Sequence, residues 1–201
     1  MNARRKILVA AYACNPRLGS EEGVGWGWVT ALAARHDLWV LTAEFHRADI
    51  EHALAADPAL RSRLRFVYVP PRWWHYRPAP FWRRIENSVA KPIMNWAYRL
   101  WQREAYRLAR RLHKEVRFDL VHQLTYVGFR FPGHLWKLDV PFVWGPIGGL
   151  ENTPWRFLPM LGLRGCCYYA GRNLINAAHR RWLRAPRQAL RKARGGVIAA
   201  T

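Results

Sequence analysis

The sequence predicts an α/β fold, a Rossmann-like open parallel sheet with helices on both faces, and three observations carry that prediction. Short apolar runs alternate with stretches of helical periodicity. The first of these runs breaks into a glycine-rich loop that turns directly into an amphipathic helix. Apolar residues make up 51% of a 201-residue chain, enough to bury one sizeable core.

In order, the first strand is the run from Ile7 to Tyr12, and the helix after its loop places Val24, Trp28, Ala31 and Leu32 on one face. Leu38 to Thr42 forms the second strand. A helix over Arg47 to Ala56 stops before Pro58, and Phe66 to Val69 is the third strand, ended by Pro70 and Pro71. The aromatic stretch Arg72 to Pro78 reads as an exposed loop or the entry to a long helix. Within that helix Ile93, Ala97, Leu100, Trp101, Leu108 and Leu112 fall on one face, while Arg99, Arg103, Arg107, Arg110 and Lys114 take the other. Leu120 to His122 is the fourth strand and Pro141 to Trp144 the fifth. An Arg-rich helix near Arg172 to Arg194, kinked or restarted at Pro186, feeds a sixth strand over Gly196 to Ala200. The chain reads as one domain, residues 1–201, truncated before its last helix, because a doubly wound sheet rarely stops on a strand.

The net charge of +20 is concentrated. Residues 61–117 carry 15 basic and 3 acidic side chains and residues 151–201 carry 10 and 1, whereas residues 1–60 are near neutral. Arginines there interleave with Trp73, Trp74, Trp82, Trp96 and Trp101, a mixture that suits an anionic headgroup layer. The same mixture can stack on a nucleic acid strand, which ranks behind because no recognition motif accompanies it. A solvated helix face is the plain alternative. Cys14, Cys166 and Cys167 cannot form a disulfide framework, so a reducing, cytoplasmic setting is expected, and the adjacent pair reads as small core residues with no metal-ligand spacing. Arg4-Arg5-Lys6 before an apolar run imitates a signal segment, but the run is too short and a first strand explains it. No stretch approaches the roughly 18 apolar residues of a membrane span.

The first loop reads Gly19-Ser20-Glu21-Glu22-Gly23-Val24-Gly25-Trp26-Gly27. Gly23 and Gly25 allow close backbone approach at the positive end of a helix. Glu21 and Glu22 would repel a pyrophosphate there, and the spacing misses G-x-G-x-x-G, so a hydroxyl-rich ligand such as a sugar fits better. Alternatively, both carboxylates only counter the helix end. Glu44, about 20 residues past this loop, stands where a dinucleotide enzyme keeps its ribose carboxylate, or is an ordinary first-turn residue of the second helix. Gly145, Gly148 and Gly149 follow the fifth strand, with Glu151 just beyond; they let the backbone approach a cleft, or form a simple turn.

The run A-Y-A-C-N-P-x-x-G-S-E-E-G-V-G-W from Ala11, then Phe118 to Gln123, then Trp144-Gly145-Pro146-Ile147-Gly148-Gly149 resemble the N-terminal half of a GT-B glycosyltransferase of the family-4 (group 1) type. The resemblance spans nearly the whole chain. It implies one Rossmann-like acceptor-binding half of a GT-B architecture, whose C-terminal donor half would follow. It implies transfer of a hexose from a nucleoside diphosphate sugar to a saccharide or lipid-linked saccharide, with the nucleotide sugar a co-substrate and no resident cofactor. It implies a catalytic role for His122 beside the transferred sugar; a histidine held by a neighbouring backbone group is the structural alternative. The family's donor motif, two glutamates eight positions apart, has no match among the eight glutamates. The 201 residues alone are therefore expected to transfer no sugar. Two other readings stand beside this one: a nucleotide-dependent oxidoreductase, and a non-catalytic basic module that binds membrane or nucleic acid. Peripheral attachment to the inner face of the cell membrane is expected if the acceptor is lipid-linked.

Overall fold

The computed structural model describes residues 4–70 and 87–200, with side chains in the long helix from Met94 onward. Six strands form one parallel sheet: β1 (Lys6–Ala10), β2 (Asp37–Ala43), β3 (Leu64–Val69), β4 (Leu120–Gln123), β5 (Phe142–Ile147) and β6 (Gly196–Ala199). Their spatial order is β3-β2-β1-β4-β5-β6. The chain therefore winds outward from β1 in one direction, then returns to the other side of β1. That reversal opens a crevice between the carboxyl ends of β1 and β4, the place where open α/β sheets hold ligands.

Side chains alternate across a strand, so β1 feeds two separate cores. Leu8 and Ala10 pack under α4 (Asn87–Val116), with Trp101, Ala105 and Ala109, and α6 (Arg184–Lys192) adds Ala189 to the same side. Ile7 and Val9 face the opposite way, toward α1 (Ser20–Ala33) and α2 (Arg47–Ala56), whose Val29, Ala33, Ile50 and Leu54 complete the second core. Burial of both faces is what a parallel sheet requires. Each wholly buried leucine, such as Leu8 or Leu38, contributes about 1.5–3 kcal/mol.

Of the predicted face of α1, Trp28 and Leu32 pack partly buried against the second core, but the fully buried line runs one position further on. Gly25, Val29 and Ala33 are buried, while Val24 is 47% exposed and Ala31 lies on the surface. The small side of the helix faces inward, so α1 sits closer to β1 than a stripe of larger residues would allow. A helix missed in the sequence, α3 (Pro58–Arg63), begins at the Pro58 expected only to end α2. Asp57 caps it by accepting the Leu60 N–H at 2.9 Å, and proline is well placed in a first turn. The expected Arg-rich helix is two helices, α5 (Gly162–Trp182) and α6, broken at Leu183. Pro186 lies in the first turn of α6 and breaks nothing. Cys166 is half-buried and Cys167 exposed, which corrects their expected place in the core. The stretch Arg72–Pro78, with Trp73, Trp74 and Trp82, lies outside the described residues. Arg99, Arg103, Arg107, Arg110 and Lys114 are all exposed, as the periodicity of α4 requires.

Candidate functional site

Three loops meet at the crevice, those leaving β1, β2 and β4, and the chain laces them together before any ligand is considered. Gly25 lies against the loop after β1: a Cβ there would stand 2.2 Å from the Ala13 carbonyl oxygen and 3.0 Å from Thr125 Cγ2. At Gly23 a Cβ would stand 2.7 Å from the Leu18 carbonyl oxygen. The close backbone approach for which these glycines are needed is thus to the chain's own main chain. It lets the Ala13 N–H donate to Thr125 Oγ1 at 3.1 Å and the Asn15 N–H donate to the Glu22 carbonyl at 3.1 Å.

The two loop carboxylates have different surroundings. Glu21 Oε1 accepts the backbone N–H groups of Tyr126 and Val127, the second at 3.0 Å. Tyr126 is held in the left-handed region, φ 65°, a conformation that costs about 1–2 kcal/mol for a residue with a side chain. The paired charge-assisted bonds from Glu21 offset that cost. The Glu22 carboxylate makes no hydrogen bond or ion pair among the described residues, and its charge bears on both Tyr12 and His46. Burial, then Tyr126, then Glu22 push the Tyr12 phenol up to about 12. Burial and then Glu21 raise Tyr126 to about 12 as well. Both phenols remain protonated donors at neutral pH. The Tyr126 hydroxyl donates to Asn95 Oδ1 at 2.6 Å. The Tyr12 hydroxyl has no partner among the described residues.

Aromatic rings wall this corner. Tyr12 meets Phe45, Tyr98, Trp101 and Tyr126 edge to face at centroid distances of 5.9, 5.0, 5.1 and 6.1 Å for Phe45, Trp101, Tyr98 and Tyr126 respectively. His46 is buried; Asn15 Nδ2 donates to its Nδ1 at 3.2 Å and also to Asp49 Oδ2 at 2.9 Å. Burial lowers the His46 pKa against the pull of Glu22 and Asp49. With Nδ1 an acceptor, the neutral ring carries its proton on Nε2. Cys14, next to these groups, is no nucleophile: burial raises its thiol to about 12.

The other expected residues are placed as follows. Gly148 joins the same floor, donating its N–H to the Val127 carbonyl at 2.8 Å and accepting from Phe129 at 3.0 Å. Gly149, with φ 83°, donates to the Glu151 carboxylate at 2.9 and 3.0 Å. Gly145 sits lower, inside β5, where a Cβ would stand 2.3 Å from the Ile198 carbonyl oxygen of β6. His122 is only 3% exposed, on the α1 side of the sheet, with its ring edge-on to Trp28. Its Nε2 donates to the Gly145 carbonyl at 2.8 Å, and burial lowers its pKa although that bond opposes the shift. Glu44 stands apart, bound through both oxygens to Arg47 at 2.6 and 3.0 Å in the turn that opens α2.

Sequence reasoning missed Tyr12, Asn15, His46 and Tyr126. Tyr12 and Asn15 lie within the quoted Ala11 to Trp26 run, and His46 follows two residues after Glu44. Nothing local marks Tyr126, which enters only through the pairing of β4 with β1. Among the described residues no three His, Cys, Asp or Glu side chains converge as a metal site.

No protein-family model matches the chain. No curated protein matches it. Among solved structures it is similar to UGT73P12 of Glycyrrhiza uralensis, a crystal structure in complex with glycyrrhetinic acid 3-O-monoglucuronide, with a TM-score of 0.48 and 14% identity over 79% of this chain. The chain spans 30% of the length of that protein.

Proposed function

We propose that this chain supplies the acceptor side of a glycosyltransferase that moves a hexose from a nucleoside diphosphate sugar to a saccharide or lipid-linked saccharide. One observation carries the reading: of two adjacent carboxylates at the β1–β4 crevice, Glu21 is consumed by backbone amides, while among the described residues neither the Glu22 carboxylate nor the Tyr12 hydroxyl, on which its charge bears, has a side-chain hydrogen-bond partner. A free carboxylate acceptor, a neutral phenol donor and aromatic walls are the groups a sugar's hydroxyls and ring face need. The same carboxylates set negative charge at the N-terminus of α1, where a diphosphate would otherwise rest. Glu44, the candidate ribose partner of a dinucleotide, is occupied by Arg47, which weighs against the oxidoreductase reading.

In this assignment Glu22, Tyr12 and His46 bind the acceptor, and Glu21, Gly23 and Gly25 shape the loop. Gly148, Gly149 and Glu151 form the cleft floor, and Gly145 lies under it in β5. His122 is a positioning residue that holds the Gly145 carbonyl beneath that floor. The nucleotide sugar is a co-substrate held mainly by a donor half, and proximity supplies much of the rate in such a two-substrate cleft. A lipid-linked acceptor would keep the protein at the inner face of a membrane.

The test is calorimetric titration of the chain with a panel of oligosaccharides, nucleoside diphosphate sugars and nicotinamide cofactors. Glu22→Gln should weaken saccharide binding by about 10- to 100-fold, the worth of a hydrogen bond to a charged group, and leave the urea midpoint unchanged. Tight binding of a nicotinamide cofactor with no saccharide response would overturn the assignment.

A further inference from the structure

Helix α5 is built inside out. Its inward face is polar: Asn173 and Asn176 are each 1% exposed. Asn173 accepts the Thr153 N–H at 3.1 Å and donates to the Thr153 carbonyl at 2.8 Å. Asn176 donates to Asn152 Oδ1 at 3.1 Å and accepts from Arg130 at 2.6 Å, while Arg130 also donates to His179 Nδ1 at 2.8 Å. These bonds fix the rotation of the helix about its axis. The opposite face then presents Leu163, Tyr168, Leu174, Ile175 and Trp182 outward, with Leu163 82% and Trp182 71% exposed. The preceding turn (Trp155–Leu161) extends the patch, and its Met160 is 80% exposed. Scattered exposed apolar residues are ordinary on a protein surface, but a contiguous face held outward by a polar anchor needs an occupant.

Charge selects the occupant. Residues 151–201 carry 10 basic side chains against one acidic, and Arg164 and Arg181 flank the apolar stripe on the same side of the helix. A second copy of the chain would bring +20 against +20, and a face-to-face pairing of this helix would set its arginines against the same arginines. A nucleic acid strand would use the arginines and the tryptophans, but Met160, Leu163, Leu174 and Ile175 offer neither stacking nor phosphate contact. An anionic bilayer uses both sets, the aliphatic and aromatic side chains below the headgroups and the guanidinium groups among the phosphates.

We propose that the outward face of α5, with the turn that precedes it, is a docking surface for anionic lipid, on which the protein lies without spanning the membrane. Among the described residues no helix is long and apolar enough to cross a bilayer. The inference deepens the membrane part of the proposed function and needs no sugar chemistry.

The experiment is co-sedimentation of the chain with phosphatidylglycerol-rich vesicles and with vesicles of phosphatidylcholine alone, read beside the saccharide titration. The wild-type chain should partition onto the anionic vesicles, more weakly as salt rises. The double variant L174E/I175E should lose about tenfold or more in partition, with an unchanged circular dichroism spectrum, because both positions face solvent. The second variant R164E/R181E reads the same surface through charge, and should lose binding even if the first variant fails to fold. Equal partition of wild type and a folded variant would overturn the proposal. So would a concentration-dependent dimer that either variant dissolves, or binding to a polynucleotide that the vesicles cannot displace. A wild-type chain that binds saccharide but no anionic vesicle would sink this inference alone; one that binds the vesicles but no saccharide would sink the acceptor reading alone.

Discussion

Replacing Gly25 with alanine tests whether the first loop is held by main-chain contact. The new methyl would meet the Ala13 carbonyl oxygen at 2.2 Å and its carbon at 3.2 Å, with Thr125 Cγ2 at 3.0 Å. The first two atoms are backbone and cannot rotate away, so the helix must lift by roughly 1 Å to regain ordinary contact. Lifting strains the bonds that converge there, from Ala13 to Thr125 and from Asn15 to Glu22. Overpacking of this kind costs about 1–3 kcal/mol, each weakened hydrogen bond adds about 1 kcal/mol, and the better helix propensity of alanine returns about 1 kcal/mol. The expected net loss is about 2–4 kcal/mol, a fall of roughly 1–2 M in the urea midpoint at an unchanged slope, followed by far-ultraviolet circular dichroism. Gly27, two positions on in the same helix, has nothing within 4 Å of its own virtual Cβ. Gly27→Ala should therefore be neutral or stabilise by up to about 1 kcal/mol. Equal midpoints for the two variants would refute the idea that Gly25 serves close packing of α1 on the β1 exit.

Two further outcomes are expected. His122→Ala removes the donor from the buried Gly145 carbonyl and should cost about 1–3 kcal/mol while weakening saccharide binding; His122→Gln, which keeps a donor, should restore part of both. A histidine that touched the sugar directly would lose binding in both variants with no loss of stability. His46, His122 and His134 all have lowered pKa values, His134 to about 4 through burial, then Lys137 and Arg103. The unfolded chain takes up their protons first, so stability should be level above about pH 6.5 and fall as pH drops below it. His134→Gln should flatten that fall, and a fold that gains stability on acidification to about pH 5 would contradict the sign.

The order and type of the strands were legible because short continuous apolar runs, bounded by glycine and proline, have few other readings. Helix faces were less legible. The stripe in α1 was misassigned because large apolar side chains dominate a periodicity count, while the packed position is a glycine whose importance lies in what it lacks. Cys166 and Cys167 were misplaced for a related reason: α5 buries asparagines and exposes apolar side chains, so small apolar residues in it need not be core. Of the candidate residues, Glu21, Gly23, Gly25, Gly148, Gly149 and Glu151 do gather along one hydrogen-bonded floor. Tyr126 and His46 could not be found in the same way, since their nearness to Tyr12 depends on which strands become neighbours.

The sequence by itself determined a parallel α/β sheet, a glycine-rich exit from β1 and a basic second half, all of which follow from local composition and spacing. Tertiary structure alone decided that β4 lies beside β1, and hence where the crevice opens. It also decided that Glu21 is spent on the Tyr126 and Val127 amides while the Glu22 carboxylate has no such donor among the described residues. Two neighbouring glutamates are equivalent in composition and spacing; only a fold that brings donors from a hundred residues away to one of them can make their chemistry differ.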